Sequence, residues 1–99
     1  MDTKIQTIIH DYLSTQPIQK AWVFGSFSRG EERPDSDVDI LVSFIPGTHM
    51  GLRFFGLALD LEKLLGRRID LVVEGDLMPY AAATADHDKI LVYDRTSQR

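Results

Sequence analysis

The chain contains no cysteine, which excludes disulfides and thiolate zinc sites and leaves the redox compartment unmarked. Its three histidines, His10, His49 and His87, lie far apart without the spacing of metal ligands. No apolar run approaches the roughly 20 residues needed to cross a bilayer. The first residues, Met1 to Ile5, show no basic segment leading into an apolar stretch, so the chain reads as cytoplasmic, without a membrane segment. Positive charge is scarce as well. A formal net charge of -4 and a pI near 5.2 argue against an extended nucleic-acid surface. A single nucleotide brought in with metal ions stays compatible with that balance.

The 99 residues carry 43% hydrophobic and 26% charged side chains. That is ordinary globular usage, enough for one domain with one core. Residues 1–99 therefore read as one unit, with 94–99 as a frayed tail. Ile5, Ile8, Ile9, Tyr12 and Leu13 recur at helical spacing, which predicts a first helix over Asp2–Gln16, stopped by Pro17. Ala21 to Phe24 is a short apolar strand ended by Gly25-Ser26, and Ser26 suits the N-cap of a following helical turn. Ser28 to Ser36 reads as a helical turn running into a loop. Val38 to Phe44 is a second strand, and Pro46-Gly47 closes it. A helix from about Gly51 to Leu65 should bury Phe54, Ala58, Leu61 and Leu65, with Gly66 as its stop. Arg68 to Val73 reads as a third strand, Met78 to about Asp86 as a short helix, and Ile90 to Tyr93 as a last strand. Alternating strands and helices predict an α/β or α+β fold, a small mixed sheet with flanking helices.

Asp37 and Asp39 are two apart at the start of a strand, so both carboxylates project to one side, roughly 7 Å apart. Two such groups repel unless a divalent cation lies between them. Asp70 sits inside the apolar run Ile69 to Val73, where a lone charge is costly unless paired or metal-bound. If that strand lies beside the second, three carboxylates converge. Hard oxygen ligands in that number suit Mg²⁺ or Mn²⁺, and a pair of ions can serve in-line phosphoryl displacement. Asp70 could instead take the proton of an attacking hydroxyl. Upstream, Gly25-Ser26 offers close backbone approach, a hydroxyl and N–H groups at a helix N-terminus, the requirements of a triphosphate. Ten residues separate Ser26 from Asp37, enough for a turn and a loop back to the neighbouring strand.

Simpler readings compete with these. Asp37 and Asp39 could decorate a solvated turn. An EF-hand loop beginning at Asp35 fails because Ile40 and Pro46 stand where Gly and Glu are required. Asp70 could pair with Arg67 or Arg68, and Arg29 could contact phosphate or merely tie its loop to a carboxylate. Trp22, Phe24, Phe54 and Phe55 read as core, Tyr80 and Tyr93 as packing residues, and the histidines as surface.

Gly25-Ser26, the ten-residue interval filled with Arg29-Gly30 and Ser36, Asp37-Val38-Asp39, and Arg68-Ile69-Asp70 together make a pattern. In it the chain resembles the minimal nucleotidyltransferases of the DNA polymerase beta superfamily. The resemblance implies a polymerase-beta-like fold and transfer of AMP from ATP to an acceptor hydroxyl with release of pyrophosphate. It implies Asp37, Asp39 and Asp70 as catalytic, Mg²⁺-binding carboxylates, and Gly25, Ser26 and Arg29 as the nucleotide-phosphate side. Members this short resemble antitoxins paired with an all-helical HEPN ribonuclease toxin, some of them similar to enzymes that adenylylate a tyrosine of that toxin. Occlusion of the toxin without catalysis, and service as the catalytic subunit of a small-molecule nucleotidyltransferase, are the alternatives.

Overall fold

Apolar residues at helical spacing near the start form α1, Thr3–Ser14, whose Ile9 and Leu13 are fully buried. The computed structural model describes residues 3–25, 30, 37–73 and 89–97. After α1 the chain enters β1, Ile18–Phe24, and later β2, Val38–Phe44. Helix α2, Arg53–Leu65, leads to β3, Ile69–Val73, and β4, Ile90–Asp94, is the last strand. The expected helical turn at Ser28 to Ser36 and the helix at Met78 to Asp86 lie outside the described residues. The four strands form one sheet in the order β3-β2-β1-β4, parallel between β2 and β3 and antiparallel elsewhere. This mixed sheet with helices is the α+β architecture that the alternating sequence pattern predicts.

Both helices pack on one face of the sheet. Ile9 and Leu13 of α1 and Leu57 and Leu61 of α2 meet Val23, Val38, Ile40, Val42, Val92 and Tyr93 in a single apolar cluster. Each such aliphatic side chain stabilises the fold by about 1.5–3 kcal/mol when fully buried. Where Tyr12 of α1 faces Asp60 of α2, its hydroxyl donates a 2.6 Å bond to Oδ2. Partial burial, and then this bond to an anion, push the Tyr12 hydroxyl well above its ordinary pKa. Gly66 ends α2 with φ 66° and donates its N–H to Glu62 O at 2.8 Å, the left-handed stop that the sequence predicts. Among the described residues no helix is long and apolar enough to cross a membrane.

Three expectations change. The first strand begins at Ile18, ahead of Ala21, because Ile18 finds a partner in Phe44. Phe55 is 64% exposed rather than core, since α2 turns it away from Leu57 and Leu61. Nor does the chain simply fray from Asp94. The segment Arg95–Ser97 makes a 3₁₀ turn, and Arg95 donates from Nε to Ile18 O at 2.9 Å and from Nη2 to Gln16 O at 2.7 Å. Charged donors on backbone carbonyls contribute about 1.5–3 kcal/mol each, discounted here because Arg95 is only half-buried. Arg95→Ala is accordingly expected to lower stability by about 1–2 kcal/mol in urea denaturation. A midpoint identical to that of the parent chain would show that the clasp contributes nothing.

Candidate active site

The site lies where β1 ends and β2 and β3 begin. Alternation along β2 sends Val38, Ile40 and Val42 into the helix-covered core, so Asp39 faces the other side. In β3, Ile69 and Leu71 pack against the core, which directs Asp70 to that same far side. Register then decides the meeting. Asp39 and Asp70 are direct partners in the parallel ladder, and Phe24 partners Asp39 from β1. Just before β2, exposed Asp37 stands level with the approach to β3, where Val38 N donates to Arg68 O at 2.9 Å. The condition that joined the three carboxylates in the sequence, adjacency of the second and third strands, is met.

Gly25 closes the group from β1. Its φ is 75°, in the left-handed region, and a Cβ built there would collide with Asp39 Oδ2. The glycine therefore makes room for the carboxylate as well as permitting the turn. Ser26 and Arg29, expected on the phosphate side, lie outside the described residues.

Asp39 and Asp70 set two like charges opposite each other in a ladder, an arrangement that destabilises a sheet unless a cation offsets it. Among the described residues no three His, Cys, Asp or Glu side chains are gathered closely enough to form a metal-holding group. Mg²⁺ does not require one, because it is commonly held by one or two carboxylates together with the phosphate oxygens of a substrate. An all-oxygen, adjacent pair of carboxylates fits that mode of binding.

Behind the carboxylates lies an apolar row that sequence reading did not connect to the site. Leu41 pairs with Trp22 on one side and Val72 on the other. Although it lies on the face away from the helices and outside the core cluster, Leu41 is only 3% exposed. Lys89 Nζ stands 4.6 Å from the centre of the Trp22 ring. The row places a buried leucine between two half-buried apolar side chains beside the anionic edge. Its signal was present in Ile40-Leu41-Val42, an unbroken apolar run of the kind that marks a strand covered on both faces.

With the geometry established, similarity to other proteins can be weighed. Residues 4–98 match the family model for polymerase beta nucleotidyltransferases. The protein adenylyltransferase MntA of Thermococcus cleftensis is 44% identical over 76% of this chain and 75% of its own length. A candidate minimal nucleotidyltransferase of known structure is 36% identical, with a TM-score of 0.71, over 88% of this chain and 87% of that one. A toxin-antitoxin structure with AMP-PNP superposes with a TM-score of 0.78, over 93% of this chain and 75% of that one, at 22% identity, which speaks for the fold. The chain belongs to the polymerase beta nucleotidyltransferase family, with that family's fold, and is an enzyme of the nucleotidyltransferase class.

Proposed function

We propose that the chain transfers AMP from ATP to a hydroxyl on a protein partner, and that this transfer silences the partner, a HEPN-type ribonuclease toxin. The observation that carries the reading is the register of Asp39 against Asp70, with Gly25 fitted against the Asp39 carboxylate. It is supported by the similarity to the Thermococcus protein adenylyltransferase and by the toxin-antitoxin fold neighbour with AMP-PNP.

In the proposed reaction the partner's hydroxyl oxygen attacks the α-phosphorus of ATP. A new O–P bond forms, the bond to the bridging oxygen breaks, and pyrophosphate leaves with its electron pair. Gly25 and Ser26 receive the triphosphate at the end of β1, and Arg29 offsets its charge. Asp70, exposed at the start of β3, accepts the hydroxyl proton as the oxygen attacks. Asp37 and Asp39 would hold Mg²⁺, which when bound neutralises charge on the phosphates.

The test is to incubate the chain with ATP, Mg²⁺ and the product of the adjacent gene, then weigh that product by mass spectrometry. One or more added AMP groups, and loss of ribonuclease activity in step with them, are expected. Neutralisation that persists in Asp37→Asn/Asp39→Asn with no added mass would replace the catalytic reading by occlusion.

A further inference from the structure

Lys89 has no part in the reaction described above, yet strand register places it at the site. It stands just before β4. Trp22 of β1 pairs with Leu91 and Val23 with Ile90, so the next step along this antiparallel ladder sets Lys89 level with Phe24. Phe24 in turn pairs with Asp39, and Asp39 with Asp70. One row across the sheet therefore reads Lys89, Phe24, Asp39, Asp70, with a cation at one end and two carboxylates at the other.

The row shares one face. Val23 is buried in the helix-covered core, so its neighbours Trp22 and Phe24 face the far side, where Asp39 and Asp70 also lie. Lys89 faces that side too, because its Nζ stands 4.6 Å from the centre of the Trp22 ring. With neighbouring strands about 4.8 Å apart, the backbone of Lys89 is about 5 Å from that of Phe24 and about 10 Å from that of Asp39. Gly25-Ser26 follows Phe24 directly. A phosphate chain laid over that turn has the carboxylates on its β2 side and Lys89 on its β4 side.

Packing alone does not account for a lysine here. Methionine or leucine would cover the half-buried Trp22 ring as well, and a cation–π contact at a partly exposed position is a weak reason to hold a charge. A triphosphate, by contrast, brings several negative charges to an edge that already carries Asp39 and Asp70. Lysine, a compact ammonium on a flexible stem, is a common ligand for phosphate. Over Trp22 that ammonium lies one same-face step behind the turn, from which a change of rotamer carries it forward.

We propose that Lys89 binds the β- and γ-phosphates of the nucleotide, the part that leaves as pyrophosphate, and that the Trp22 ring holds its ammonium beside the turn until the phosphates arrive. The proposal rests on the reading of the site as one for a nucleoside triphosphate.

Calorimetric titration of the full chain with ATP and with AMP, each with Mg²⁺, tests it. Lys89→Met keeps a long apolar stem on Trp22. In that variant affinity for ATP should fall about 10-fold, with affinity for AMP and the melting temperature unchanged. Lys89→Arg should bind ATP nearly as the parent does, since charge and ring contact are both kept. Trp22 is the only tryptophan of the chain, so its emission reports on the ring. ATP should alter that emission in the parent and far less in Lys89→Met. An affinity for ATP in Lys89→Met within about two-fold of the parent, an equal loss for ATP and AMP, or the same emission response in both chains overturns the proposal. The two readings fail separately. A parent that binds ATP and modifies the product of the adjacent gene, matched in both by Lys89→Met, removes only the role of Lys89, whereas a parent that binds no ATP removes both.

Discussion

Asp39→Asn is expected to slow AMP transfer by about three orders of magnitude, equivalent to roughly 4 kcal/mol of transition-state stabilisation. Asp39 is the member of the site with the most neighbours of consequence, Phe24 and Asp70 in the ladder and Gly25 against its carboxylate. Asparagine keeps the shape of the side chain but removes the negative charge that would hold the cation in the proposed reaction. The fold should not suffer. Because asparagine is isosteric and the position lies at the edge of the site and outside the helix-covered core, thermal unfolding without Mg²⁺ should occur at nearly the same temperature. Single-turnover rates followed by intact-mass measurement, paired with melts by circular dichroism, separate the two effects. A variant within a few-fold of the parent rate would show that the carboxylate has no part in the chemistry.

Gly25→Ala should damage both stability and activity. At φ 75° a side chain is strained whatever the space around it, by about 1–2 kcal/mol. Here the added Cβ also meets Asp39 Oδ2, so either the turn or the carboxylate must shift. We expect a loss of about 2–3 kcal/mol, with a transfer rate reduced about 100-fold because the reacting groups are displaced. Gly30 provides the comparison, having φ 70° but open space around the position of its Cβ. Gly30→Ala should show the backbone strain alone. Equal losses in the two variants would mean that contact with Asp39 is of no importance.

What could be read from the sequence was local. Strand alternation put Asp39 on the side away from the core, a glycine at the end of an apolar run marked the turn, and Gly66 marked the end of α2. Pairing between distant segments could only be stated as a condition. That Asp70 meets Asp39 depends on β3 lying parallel to β2, a contact fixed by the α2 crossover and the apolar partners on either side. The early start of β1 has the same origin, because Ile18 is a strand residue by virtue of Phe44 and Arg95, both far along the chain. Phe55 was misplaced for a different reason. Helical spacing shows that a residue is apolar on some face, but the second apolar face of α2 lies opposite the one the sheet covers. Leu41 shows the converse, a far-face residue buried because that side of β2 is covered too.

The strand order also separates two kinds of vulnerability. Gly25, Asp37, Asp39 and Asp70 all come from the stretch that runs through β1, β2, α2 and β3, whereas β4 adds none of them and joins β1 only after the chain has travelled from Phe24 to Ile90. That is the longest closure in the sheet, and such late pairings are slow because loop entropy is lost before any contact compensates for it. The edge that carries the candidate site can thus assemble first, and the edge that completes the core, with Val92 and Tyr93, last. Substitutions in β4 should consequently govern how long a folded molecule survives, with little influence on what it catalyses while folded.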